Sequence, residues 1–175
     1  MNTDLNRRDL FKSFGAIAVG SATLQLSAGE PDAPLFFSKP DFQLLDTLTE
    51  IIIPTDKHSP GARAAGVATY IDGFVARSSD PDEKSTWTKG LALVNSVSQH
   101  MNRTSFLDAK PDQQINVLKS MAVNEQHPST DAEKFWGQLK ETTAFVYYTS
   151  SIGIHEDMDY KGNVLLEQFV GFDAT

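Results

Sequence analysis

The sequence predicts an all-α single domain of about five helices on one core, followed by an irregular tail from Ser150. Three observations predict it. Apolar residues return at three- and four-residue steps in five separate stretches, the period of one buried helical face. The alternation of a half-buried strand is nowhere sustained over a useful length. Short clusters of Pro, Ser, Asp and Gly divide the five stretches, and these residues end helices and open turns.

The chain opens with a leader. In NRRDLFKSFG (residues 6–15), Arg7 and Arg8 precede Leu10, Phe11 and Lys12, and the uncharged run FGAIAVGSATLQLSAG (residues 14–29) follows. A basic start, a mild apolar middle and small residues before a polar GEPDAP stretch are the parts of a signal peptide. The apolar run is too short and too mild for a membrane span, which needs about 20 predominantly apolar residues. N-R-R-D-L-F-K resembles the twin-arginine export consensus S/T-R-R-x-F-L-K, with Asn6 in place of the hydroxyl residue and Leu10-Phe11 inverted. That resemblance implies a cargo exported already folded through the twin-arginine translocase. Cleavage is expected after Gly29, dividing the chain into a signal peptide (1–29) and a helical domain (30–175). The alternative is an uncleaved, basic amphipathic helix.

The helices follow in order. Ser38 before Pro40 suits an N-cap with an early-turn proline, and Phe42, Leu45, Leu48 and Ile52 give one apolar face. Pro54 stops that helix, and TDKHSPG is turn chemistry. Val67, Ile71, Phe74 and Val75 repeat the spacing up to the SSDPD break. Trp87, Leu91, Val94, Val97 and Met101 make a third amphipathic stretch. A fourth begins near Pro111, with Asp108 as its expected cap and Ile115, Leu118 and Met121 inward. After EQHPST, a fifth runs from about Asp131 to Tyr148 with Phe135, Leu139, Thr143 and Val146 inward.

Composition excludes several functions. A formal net charge of -8 argues against sequence-independent binding to nucleic acid, which needs basic surface. With no cysteine there is no disulfide, thiolate zinc site, iron–sulfur ligation, C-x-x-C-H haem attachment or lipoprotein anchor. His58, His100, His127 and His155 show no H-E-x-x-H spacing, so no metal site is expected from them. From Asp157, a calcium loop would have carboxylates at Asp157 and Asp159 and its glycine at Gly162. It fails at position five, Lys161, and at position twelve, Gln168, where Glu167 comes one residue early. G-x-S-x-G, a dinucleotide glycine fingerprint and a P-loop are all missing, and no catalytic residues are assigned.

The stretch FWGQLKETTAFVYYTSSIG (residues 135–153) is unusually aromatic. The adjacent pairs Phe135-Trp136 and Tyr147-Tyr148 each point two ways around a helix, so one member of each is expected outward, where interfaces collect aromatics.

Two blocks carry a wider resemblance: LLDTLTEIIIPTDKHSPGARAAGVATYID (residues 44–72) and FVYYTSSIGIHEDMDYKG (residues 145–162). With the leader, they resemble the gluconate 2-dehydrogenase subunit 3 family, in which an "IIP-(T/A)-D" turn precedes "SPGA…AGV…(F/Y)ID" and a late "YYTS…G" precedes a glycine element like Tyr160-Lys161-Gly162. The resemblance implies a small, cofactor-free subunit of a periplasmic complex. Its partner would be a large flavoprotein of the glucose-methanol-choline class, binding FAD and oxidising a sugar, sugar acid or related alcohol. Electrons would pass to a cytochrome c subunit or another acceptor, and the small subunit would support folding and export of the large one. Docking is expected through Phe145, Tyr147, Tyr148, Tyr160 and the 54–61 loop with Pro54, Pro60 and Gly61. Two other readings stand beside this one: an autonomous exported enzyme using the acidic stretch His155 to Asp159, and an exported helical domain that binds a small ligand.

Overall fold

The computed structural model describes residues 33–160, and within them the chain is helical with no strand. The five expected helices are α1 (Lys39–Ile52), α3 (Val67–Arg77), α4 (Pro81–Asn102), α5 (Pro111–Met121) and α6 (Asp131–Thr149). The four-residue helix α2 (Gly61–Ala64) lies between α1 and α3, and a π-helical turn (Gly153–Asp157) follows α6. The expected leader, with Arg7, Arg8, Leu10, Phe11 and Lys12, and the end of the tail, with Lys161 and Gly162, lie outside the described residues.

Local chemistry sets each boundary. The Ser38 hydroxyl accepts from the Asp41 N–H and donates to its carboxylate, capping α1 as expected. α4 starts inside the expected SSDPD break, because Asp80 accepts from the Asp82 N–H and Pro81 fills the first helical position, where no N–H is needed. Asp108 does not cap α5. Its carboxylate takes the Ser105 hydroxyl one turn earlier, at 2.7 Å, and the Lys110 N–H opens α5 by donating to Gln113 Oε1 at 3.0 Å. α6 begins with a capping box in which Thr130 accepts from the Glu133 N–H and Glu133 accepts from the Thr130 N–H. The tail stays helical for one further turn after Ser150, since the Ser150 carbonyl accepts from the Ile154 N–H and the Gly153 carbonyl from the Met158 N–H.

α6 is the central element, touching α1, α3, α4, α5 and the π turn. Its inward face presents Phe135, Leu139, Val146 and Tyr147 to a core built from Leu44, Leu45, Leu48, Val67, Ile71, Val75, Trp87, Leu91 and Val94. At the α4–α6 crossing, Phe135 meets Trp87 edge-on, with ring centroids 5.8 Å apart. Gly90 permits this approach, because a Cβ there would lie 2.0 Å from the Phe135 ring. Phe106 is fully buried between α4 and α5 although it belongs to neither: its N–H donates to Asn95 Oδ1 and its carbonyl accepts from Gln114 Nε2. Among the described residues, no helix is long and apolar enough to cross a membrane.

Candidate docking surface

The 54–61 loop is held by side-chain carboxylates at both ends. Glu50, in the last turn of α1, accepts from the Thr55 N–H at 3.0 Å, the Thr55 hydroxyl at 2.8 Å and the Arg63 N–H at 2.9 Å. Partial burial pushes this carboxyl up, but the hydrogen bonds from Arg63 and Thr55 outweigh burial and hold it below its usual range. Asp56 accepts from the N–H groups of His58 and Ser59, which lower its pKa. Gly61 closes the loop at φ +84°, where a Cβ would lie 2.4 Å from Thr55 Oγ1 and 2.9 Å from Glu50 Oε1. Only glycine meets both demands. Pro54 is exposed, Pro60 is half-buried and Gly61 is buried.

The four aromatics expected at the docking surface separate. Phe145 is 64% exposed and Tyr148 is 45% exposed, three residues apart on the outer face of α6. Tyr160 is also exposed, beyond the π turn, with its N–H on the Ile154 carbonyl. Tyr147 does not belong with them: it is fully buried, and its hydroxyl pairs with Ser59 Oγ at 2.8 Å. The reason is helical phase, since Leu139, Thr143 and Tyr147 follow at four-residue steps on the buried stripe. Tyr147 therefore supports the 54–61 loop from within. In the other adjacent pair, Phe135 is buried and Trp136 is half-buried.

Phe145 belongs to a groove that sequence reasoning missed. A concavity of about 330 Å³ lies between α3, α4 and α6. Ile71, Trp87 and Val146 are its buried floor, and Tyr70, Phe74 and Phe145 stand as exposed aromatic walls. Phe74, expected inward, is 42% exposed because it lines this groove. Tyr70 and Phe74 are four residues apart, as are Glu141 and Phe145, and that spacing was the available signal. The rim is acidic and polar, with Glu83, Glu141, Gln138 and Thr142. Among the described residues, the buried indole N–H of Trp87 has no hydrogen-bond partner.

A second groove of about 300 Å³ lies on another side of α6, lined by Ile51, Ile52, Ile115, Leu118 and Trp136. Its rim is basic, with Lys119 and Lys140, so α6 separates two apolar grooves of opposite rim charge. Ile115, expected in the core, lines this groove and is partly exposed, and Met101, in the last turn of α4, is exposed as well. Lys140 is paired with Glu125.

His58, His100, His127 and His155 are all exposed, and His155 Nδ1 lies 3.1 Å from the Tyr160 carbonyl oxygen. Among the described residues, no group of three or more His, Asp or Glu side chains is placed to hold a metal ion. Asp157 ends the π turn.

No curated protein and no solved structure matches the chain significantly. The family model of gluconate 2-dehydrogenase subunit 3 matches residues 39–164, from the start of α1 to beyond the π turn. That span contains the Glu50-held loop, both grooves and the aromatic face of α6. The chain therefore belongs to the gluconate 2-dehydrogenase subunit 3 family, a family of dehydrogenase-complex subunits.

Proposed function

We propose that this chain is the noncatalytic small subunit of a periplasmic dehydrogenase complex, docking through the aromatic face of α6 onto a large FAD-binding subunit of the glucose-methanol-choline class. The catalytic subunit oxidises a sugar, sugar acid or related alcohol, and FAD supplies the hydride acceptor there. The small subunit supports folding and stability of the flavoprotein and carries it out of the cytoplasm on the twin-arginine leader, through Arg7 and Arg8. A cytochrome c subunit or another acceptor receives the electrons.

Exposed aromatics on a member of a dehydrogenase-subunit family carry this reading: Tyr70, Phe74, Phe145 and Tyr148 remain on the surface although the core has no shortage of apolar residues. Exposed aromatic clusters of this kind mark protein interfaces.

Co-expression with the FAD-binding subunit from the same organism tests it. The flavoprotein should co-purify with this chain, and Phe145→Ser with Tyr148→Ser should reduce recovery about tenfold or more while the isolated chain stays folded by circular dichroism. Arg7→Lys with Arg8→Lys should leave dehydrogenase activity in the cytoplasm. Activity that reaches the periplasm regardless would end the export claim, and a chain that never binds the flavoprotein would end the subunit claim.

A further inference from the structure

We propose that the acidic-rimmed groove between α3, α4 and α6 is a socket for one long cationic side chain, an arginine or lysine, presented by the surface of the catalytic subunit. This rests on the subunit reading above and specifies which part of the surface recognises the partner, and by what chemistry.

Size limits the occupant first. About 330 Å³ is at the bottom of the range for small-molecule pockets, roughly 300–1,000 Å³, and suits an anchoring side chain better than a dinucleotide cofactor. The lining gives the occupant its character. Ile71, Trp87 and Val146 offer an apolar floor for an aliphatic stem, as arginine and lysine provide. Tyr70, Phe74 and Phe145 line the mouth, and an aromatic ring attracts a cation that lies over its face.

Charge then sets the sign. Glu83 and Glu141 are the charged residues of the lining, and neither takes part in an ion pair among the described residues. Glu83 accepts the Ser78 hydroxyl at 2.6 Å, which fixes the carboxylate without neutralising it. The groove on the other side of α6 has no carboxylate in its lining, only Lys119 and the Glu125-paired Lys140, so a cationic anchor has no counter-charge there. A cationic anchor with an apolar stem is complementary to the apolar side chains of the lining and to the two rim carboxylates, and the chain's net charge of -8 favours a basic partner surface at longer range.

The test uses the full chain co-expressed with the FAD-binding subunit. A photoreactive benzoyl-phenylalanine replaces Phe145, and mass spectrometry identifies the segment that it captures. Capture of a flavoprotein segment carrying an arginine or lysine beside apolar residues is the expected result. In parallel, Glu83→Gln with Glu141→Gln should weaken the complex, by about fivefold per carboxylate, and flatten its salt dependence. Replacing the captured cation by glutamine in the flavoprotein should add nothing to the Glu83→Gln, Glu141→Gln variant. A complex that forms without capture at position 145 would overturn the socket and leave the subunit reading intact. Capture of an acidic segment or of a second copy of this chain, or unchanged salt dependence in the double variant, would do the same. Absence of any complex would instead overturn the subunit reading itself.

Discussion

The phenol oxygen of Tyr147 lies 2.8 Å from Ser59 Oγ, a hydrogen bond that joins α6 to the 54–61 loop across 88 positions of sequence. Ser59 Oγ also accepts from the Gly61 N–H at 3.2 Å, so the phenol, the hydroxyl and the start of α2 form one chain of contacts. Tyr147→Phe keeps the ring in the core and removes only the hydroxyl. It should cost about 1 kcal/mol, a fall of about 3 °C in melting temperature, with faster amide exchange in the loop. Tyr147→Ala should cost about 3–5 kcal/mol by opening a cavity. A loss of docking in that variant would report unfolding, so Phe145 and Tyr148 are the proper positions for testing the interface. A Tyr147→Phe protein with an unchanged loop would show that the bond holds nothing in place.

Gly61 and Gly66 both have positive φ, +84° and +67°, but their surroundings differ. A Cβ at Gly61 would run into Thr55 and Glu50, whereas nothing lies within 4 Å of one at Gly66. Gly66→Ala should therefore cost only the left-handed backbone penalty, about 1 kcal/mol. Gly61→Ala should cost about 2–3 kcal/mol, because it also dislodges Thr55 from Glu50. Chemical denaturation of both variants measures the difference, and equal losses would refute the role given to the crowded contact.

Periodicity made the helices legible, because one buried face per helix repeats at a fixed interval. It found Leu45, Leu48, Ile71, Leu91 and Leu139, all of which are buried. It erred where a residue sits at the edge of a face: Phe74 and Ile115 have core-like spacing but line open grooves. It could have separated Tyr147 from Tyr148 had the Leu139–Thr143 step been extended by four. Phe106 was invisible for another reason, since its burial depends on Asn95 and Gln114 and on no repeat. The acidic-rimmed groove was hidden because it is assembled from three helices, and its rim charges are 58 positions apart, at Glu83 and Glu141.

Asp72 shows the same limit at a buried charge. Its carboxylate accepts from the N–H groups of Leu35, Phe36 and Phe37 at 2.5, 3.0 and 2.9 Å, tying the segment before α1 to α3. Phe37 is buried in the core as a result, and Lys84 Nζ lies over the Phe36 ring. Asp72→Asn removes the charge that organises three donors and places an NH₂ group among N–H groups. It should cost about 2–3 kcal/mol. Hydrogen exchange at residues 35–37 should accelerate well before the helices respond. Exchange that accelerates only together with global unfolding would mean that Asp72 does not secure this segment separately.

Glu133 provides the pH prediction. Its carboxylate takes the N–H groups of Thr130 and Ser129 and the side chains of Ser129 and Asn124, which hold its pKa down to about 2 against an ordinary 4.5. A depressed folded-state pKa means that the folded chain binds this proton less readily than the unfolded one. The stabilisation is therefore fully present above about pH 4.5 and is lost as the pH falls from there through about 2. Glu133→Gln removes the titrating group and keeps a similar shape at the start of α6. The gap in melting temperature between the parent and Glu133→Gln should be widest near neutral pH and close progressively below 4.5. Taking the difference between the two proteins cancels the other lowered carboxylates, Glu50 and Asp56, which titrate in both. A gap that stays constant between pH 7 and 2.5 would show that the capping box holds α6 through shape alone.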